Sequence, residues 1–195
     1  MVICTDCLAN LPFRERQVTR AGLPSGTSWI DYEAKARALL HVFKTTGSSA
    51  IAKILAEHMW PNVESIDRTM FGCKVLVPAP SGRRANRIRG FSPSQVLAQA
   101  LAKRAGLLGR QLIVLPILSF TRKTDNQKRL DKASRIENLK GSMTASAPDS
   151  RTRLGAGAVL VDDVITTGAT LSEASRALTQ AGWKLLSFIT FAETL

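Results

Sequence analysis

The sequence predicts an α/β fold, an open and mainly parallel twisted sheet flanked by helices, with a short cysteine-bearing arm at its start. Three observations carry this reading. Gly157 to Val161 is a continuous apolar run of strand length, the pattern of a strand covered on both faces. A helical stripe follows from about Ala169 (Leu171, Ala174, Leu178, Ala181), with Gly182 as its C′ residue and a further strand at Leu185–Phe191. Strand, helix, strand in that order implies a parallel crossover. Finally, Val75-Leu76-Val77 is a strand closed by Pro78 and Pro80, and Val96, Leu97, Ala100 and Leu101 mark a helix beginning near Ser92–Ser94.

The other elements fit around this frame. With 195 residues and 45% apolar content, the chain can form one domain with a real core and a short appendage. Residues 1–30, with Cys4, Cys7, two prolines and the Gly22–Ser28 stretch, show little periodicity and read as a loosely structured arm ahead of a domain over 31–195. Tyr32, Ala36, Leu39, Leu40 and Phe43 have helical spacing, as do Ile51, Ile54, Leu55 and Met59 after Gly47. Ile113–Leu118 is another apolar run. Thr121 to Gly141 is polar, charged and long for a connection inside a domain, which marks it as a candidate mobile loop. Trp29, Trp60 and Trp183 read as core or homodimer contacts rather than platforms for stacking bases.

No apolar run reaches the roughly 18 residues needed to span a bilayer, and the first residues lack the pattern of a secretory signal, so the expectation is a cytoplasmic protein without membrane insertion. Charge is more informative. The formal net charge is +12; the window Ser81–Arg110 contributes +7 and Thr121–Lys140 contributes +4, so 11 of the 12 net charges lie in two segments. Such concentration favours an anionic partner, a phosphorylated small molecule or a nucleic acid backbone. A solvated basic face kept for solubility is the plainer alternative.

The stretch Val159–Leu171, VLVDDVITTGATL, carries the chemistry. Ligands of open parallel sheets bind where strand C-termini meet helix N-termini, and Asp162 and Asp163 are expected at such a strand end. Thr166, Thr167, Gly168, Ala169 and Thr170 then enter a helix and offer hydroxyls, backbone N–H groups and a positive dipole end to an anion. Gly168 is expected to let the backbone approach the ligand. Two acids would repel a phosphate, so they need a role of their own, either accepting hydrogen bonds from sugar hydroxyls or steadying developing positive charge. Helix capping alone explains them poorly.

That run resembles the phosphoribosyl-pyrophosphate motif of type I phosphoribosyltransferases, and the chain most resembles the ComF family. Val77-Pro78-Ala79-Pro80 with Arg83, Arg87 and Arg89-Gly90-Phe91 is similar to the family's Pro-x-Pro and Arg-Gly-Phe segment. Gln127, Leu130, Arg135, Asn138 and Gly141 match its spaced pattern, and Cys4-x-x-Cys7-Leu8 with Leu11-Pro12 resembles its N-terminus. The resemblance implies the type I phosphoribosyltransferase fold and binding of phosphoribosyl pyrophosphate with Mg²⁺. Asp162 and Asp163 would take the ribose hydroxyls and serve catalysis, with Val164 beside them, and Thr166–Thr170 would hold the 5′-phosphate. Pro80, Ser81, Gly82, Arg83 and Arg84 would form the pyrophosphate loop, with Arg87 and Arg89 at its mouth. Arg122 to Gly141 would be a hood closing over the reaction, bearing Arg122, Lys123, Gln127, Lys128, Arg135 and Asn138.

Two departures refine the resemblance. Purine-salvage relatives carry an acid immediately before the Thr-Gly; this chain has Thr166 there, closer to orotate-type members, so a purine acceptor is disfavoured. Cys4 and Cys7 have zinc-knuckle spacing, but a structural Zn²⁺ site needs four ligands and the remaining cysteine, Cys73, is remote, which favours a vestigial pair over a bound ion. ComF-like proteins are also tied to DNA uptake. The resemblance therefore implies either phosphoribosyl transfer to an unknown acceptor or a competence accessory that contacts single-stranded DNA or DNA-processing proteins, with the sugar-phosphate site as sensor or relic.

Overall fold

A computed structural model describes residues 11–69, 75–122, 137–149, 152 and 157–194. The strands of the main sheet are β1 (Arg16–Val18), β2 (Gly26–Ser28), β3 (Ile30–Asp31), β4 (Val75–Pro78), β5 (Ile113–Val114), β8 (Gly157–Ile165) and β9 (Lys184–Glu193). They lie in the order β1-β2-β9-β8-β4-β5, with β3 also pairing with β9. All the pairings are parallel except that of β1 with β2. The helices are α1 (Ala34–Thr46), α2 (Ser49–Thr69), α3 (Arg83–Arg89), α4 (Pro93–Leu107) and α5 (Ala169–Gln180), and β6 (Leu118–Phe120) pairs antiparallel with β7 (Met143–Ala145).

Alternation along the central strands sorts the core into two layers. Val159 and Val161 of β8 pack with Leu40, Phe43, Leu55, Met59, Leu97 and Leu101 of α1, α2 and α4. Ala158 and Leu160 pack on the opposite face with Leu171, Ala174 and Leu178 of α5 and with Leu118, Phe120 and Met143 of the β6–β7 pair. A sheet covered on both faces needs apolar side chains at every central position, which is why Gly157–Val161 of β8 and the start of β4 read as unbroken apolar runs. The expected two helices, central strands, crossover helix and final strand are all present, and α5 ends with Gly182 at φ +90°. All three tryptophans are buried, and the Trp183 indole N–H donates to the Ser146 carbonyl at 2.8 Å.

The structure corrects three expectations. Over its described part, residues 11–30, the N-terminal segment is no loose arm: β2 and β3, on either side of Trp29, both run parallel to β9, and β1 folds back on β2. A side chain at Gly26 would meet the Phe188 ring at 2.5 Å, so the Gly/Ser/Thr composition that suggested a flexible stretch instead lets β2 lie against a bulky neighbour. The run Ile113–Leu118 is interrupted at Pro116 and splits into β5 and β6, and the basic segment after Pro80 becomes helical from Arg83, leaving Pro80, Ser81 and Gly82 of the expected loop before α3. Among the described residues no helix is long and apolar enough to cross a membrane. Cys4, Cys7 and Cys73 lie outside the described residues.

Candidate functional site

The direction of the chain changes between β4 and β8. From β4 it continues through α3 and α4 to β5 on one side; from β8 it continues through α5 to β9 on the other. A crevice opens beyond the carboxyl ends of neighbouring strands at such a switch point. Here it is deepened by unequal lengths. Pairing with β4 stops at Pro78 opposite Val161, where the Ala79 amide donates to the Val161 carbonyl at 2.9 Å. Pairing with β9 runs on through Asp162, Val164 and Ile165. Asp162 and Asp163 thus lie within β8 rather than after it, on an overhang supported by β9 and free of β4.

Three elements converge on the two acids. Ser94, in the first turn of α4, donates its hydroxyl to Asp162 Oδ1 at 2.9 Å, and the Asp163 amide donates to the same oxygen at 2.9 Å. Lys44, in the last turn of α1, places Nζ 3.1 Å from Asp163 Oδ2. Burial, reinforced by the charge of Asp163, pushes the Asp162 carboxyl up to about 7, against the opposing pull of the Asp163 amide, Lys44 and Ser94. Burial alone would lower the Lys44 ammonium; Asp163 and Asp162 outweigh it and hold the group above its ordinary value. Beside the Lys44 cation and Asp163, the Asp162 carboxyl is therefore poised between accepting and donating a hydrogen bond. Such a trio suits the vicinal hydroxyls of a pentose, each of which both donates and accepts.

The turn beyond β8 is exposed at Thr166, half-buried at Thr167 and Thr170, and buried at Gly168 and Ala169. The Thr167 hydroxyl accepts the Ala169 amide at 3.3 Å, and Ser172 makes the first helical bond back to the Gly168 carbonyl at 2.8 Å. Gly168 has φ +81°, a conformation costly for other residues. Its missing side chain also makes room for protein: a Cβ there would lie 3.2 Å from Cγ of Arg20, in the N-terminal segment. Val164 is half-buried against the α1–α2–α4 core, and Ala169 belongs to the layer under α5, so these two support the turn with their side chains.

The basic windows divide. In α3 and its approach, Ser81 Oγ lies 3.3 Å from Ser92 Oγ, which ties the segment to the start of α4; Arg87 is exposed, and Arg89 is half-buried with its Nε unpartnered among the described residues. Arg122 is exposed too, but its side chain turns back onto its own segment. Its guanidinium donates to the carbonyls of Asn138 at 2.9 Å and Lys140 at 3.2 Å, closing the base of the expected hood. Lys123, Gln127, Lys128 and Arg135, and the side chains of Arg83 and Arg84, lie outside the described residues.

Sequence reasoning missed Lys44 and a second anchor, Glu173 of α5. This buried carboxylate accepts the Met143 amide at 2.9 Å and is gripped by Arg176, which also donates to the Met143 carbonyl at 2.8 Å. Burial would push Glu173 up, but Arg176 and the amides of Met143 and Gly141 hold it below the usual carboxylate range. The helix whose first turn follows the Thr-Gly turn thereby also fixes one end of the hood. No local signal marks either residue as an anchor: Lys44 is one of several basic residues in its helix, and Glu173 with Arg176 reads as an ordinary i,i+3 surface pair. Among the described residues no group of three or more His, Cys, Asp or Glu is arranged to hold a metal ion.

Comparison with known proteins identifies the family. The model of the phosphoribosyl transferase domain family matches residues 92–194. The DNA utilization protein YhgH of Escherichia coli strain K12 is 30% identical over 182 residues, covering 92% of this chain and 72% of the relative; that of Salmonella typhi is 28% identical over 202 residues, covering 92% and 85%. Among solved structures, adenine phosphoribosyltransferase from Saccharomyces cerevisiae matches with TM-score 0.46 and 16% identity, over 97% of this chain and 89% of that one. UMP synthase from Leishmania donovani matches with TM-score 0.44 and 18% identity, over 96% and 31%. The chain belongs to the phosphoribosyl transferase domain family, of type I, and within it to the ComF-like proteins.

Proposed function

We propose that this protein binds phosphoribosyl pyrophosphate together with Mg²⁺ and transfers the phosphoribosyl group to a nucleophile other than a purine. One observation carries the reading: a paired-acid overhang at the sheet's switch point, followed within a few residues by a Thr-Gly turn that opens a helix. The acids grip the pentose hydroxyls and the turn takes the 5′-phosphate, so the anomeric carbon comes to lie over the crevice between β4 and β8. Displacement there passes through an oxocarbenium-like centre, which the negative charge of Asp163 and Asp162 stabilises without a protein nucleophile. Closing the hood over the centre excludes water that would otherwise capture it.

The donor set fits Mg²⁺ carried by its substrate. Asp162 Oδ1 is engaged by Ser94 and the Asp163 amide, and Asp163 Oδ2 by Lys44, so the carboxylates are committed to holding sugar, while Mg²⁺ favours phosphate oxygens and water. When bound, it neutralises charge on the departing pyrophosphate. The segment Ser81–Arg89 supplies cations at the mouth of the same crevice.

Isothermal titration tests the first step. Phosphoribosyl pyrophosphate with Mg²⁺ should give a saturable heat that Asp162→Asn with Asp163→Asn abolishes; absence of heat with the unaltered protein sinks the assignment. A second reading is favoured by the net charge of +12 and by the name that the relatives carry, DNA utilization protein: the chain handles single-stranded DNA and the sugar-phosphate site reports on nucleotide supply. It requires log affinity for an oligonucleotide to fall steeply with log salt, and lack of binding even at low salt removes it.

A further inference from the structure

We propose that Arg20, in the N-terminal segment, is a direct ligand of the sugar 5-phosphate and completes the phosphate site that Thr166–Thr170 begins; this rests on the reading of that turn as a phosphate site. The placement is specific. The Arg20 methylenes lie against Gly168, with Cγ 3.2 Å, Cβ 3.3 Å and Cδ 3.6 Å from the position a side chain on that glycine would take. The segment around Arg20 is itself fastened to the site by Ser172, whose Oγ donates to the Ala21 carbonyl at 3.4 Å, and it is turned upon itself where the Leu23 amide donates to the Arg20 carbonyl at 3.1 Å. An arginine laid across the middle of a phosphate turn puts its guanidinium within a side-chain length of any anion held there.

Its present partners fit a waiting role. Nη2 donates to Glu193 Oε1 at 2.6 Å and Nη1 to the Thr19 carbonyl at 3.1 Å, which uses only part of a fork with five donors. Glu193 is nearly buried at the end of β9, directly opposite Ile165, and the Thr194 amide donates to the Ile165 carbonyl at 2.9 Å, so the carboxylate is fixed beside the turn. Glu193 thus aims the guanidinium, while the Arg20 side chain keeps 27% of its surface open to solvent. A planar fork suits the oxygens of a terminal phosphate better than an ammonium does. Its charge also offsets that of a dianion brought close to Asp162 and Asp163. On this view the N-terminal segment forms one wall of the site, and the bound phosphate holds that wall in place.

The test uses Arg20→Met, which keeps an apolar chain over Gly168 and removes the guanidinium, with Arg20→Lys as a partial restoration. Affinities for ribose 5-phosphate and for pyrophosphate with Mg²⁺ are measured by titration calorimetry on the full chain. The expected result is at least a tenfold loss of ribose 5-phosphate affinity in Arg20→Met, an intermediate loss in Arg20→Lys, and pyrophosphate affinity unchanged in both. Equal ribose 5-phosphate binding by Arg20→Met and the unaltered protein overturns the inference, as does a parallel loss for both ligands, which would mean general damage. If the unaltered protein takes up no ribose 5-phosphate, the reading of the turn falls first and Arg20 falls with it.

Discussion

Replacing Asp162 by Asn should stabilise the protein while, on the proposed function, weakening its hold on the sugar. In the folded chain the carboxyl is pushed up to about 7 from an ordinary value of 3.8, because burial and Asp163 both oppose its charge. Well below pH 3.8 it is protonated in folded and unfolded chains alike. As pH rises from there toward 7 the unfolded chain releases the proton first, so the folded state progressively loses the stability it held. The difference between 3.8 and about 7 corresponds to a ceiling of about 4 kcal/mol, and because Asp162 keeps part of its surface in water we expect about half, ~2 kcal/mol. Asn retains an oxygen to accept from Ser94 and from the Asp163 amide, so the neutral side chain fits the same bonds. Urea unfolding from pH 4 to pH 9 reads the effect. The variant should be more stable by about 2 kcal/mol at pH 8, with the gap closing toward pH 4. A variant no more stable at pH 8, or a gap that does not change with pH, would refute the account of the site as a strained acid pair. Such strain is what a binding site retains at the expense of stability.

Three further outcomes follow from the same geometry. Lys44→Met removes the cation from two neighbouring acids and should lower stability by about 1–2 kcal/mol at pH 8, discounted because the lysine is one-third exposed, with a smaller loss at pH 5; an equal loss at both would point to packing instead of charge. Gly168→Ala forces a Cβ onto the Arg20 methylenes at φ +81° and should cost about 1–3 kcal/mol in urea unfolding, whereas a neutral result would mean the turn is free to rearrange. Glu173→Ala leaves the Met143 amide and the Arg176 guanidinium without their shared acceptor, and a loss of about 2–4 kcal/mol with faster amide exchange at Met143 is expected; unchanged exchange there would separate α5 from the hood.

What the sequence disclosed and what it hid have different physical origins. β8, α5 and β9 were legible because each is long and buried, so apolar spacing fixes element type, and the paired acids stand out where that apolar run is broken. β1, β2 and β3 were not, since strands of two or three residues carry no period, and a Gly-Thr-Ser strand mimics a flexible stretch. The charged residues show the sharper limit. Composition located 11 of 12 net charges in two windows, yet Arg122 of the second window spends its guanidinium on backbone carbonyls. The cation that meets the acids is Lys44, outside both windows, and Arg20, also outside them, reaches Glu193 across 173 positions. A charge count gives the sign of a field but not where a side chain ends, because that depends on which helix end or strand edge the fold delivers to the crevice. The adjacent Asp163 bears on Asp162 most directly, but the cation and the hydroxyl that meet the pair come from far away in the chain. An acid pair at a switch point marks a candidate site from sequence alone; the lysine and serine that meet the pair, and the arginine laid against Gly168, become visible only once α1, α4 and the N-terminal strands have been folded around it.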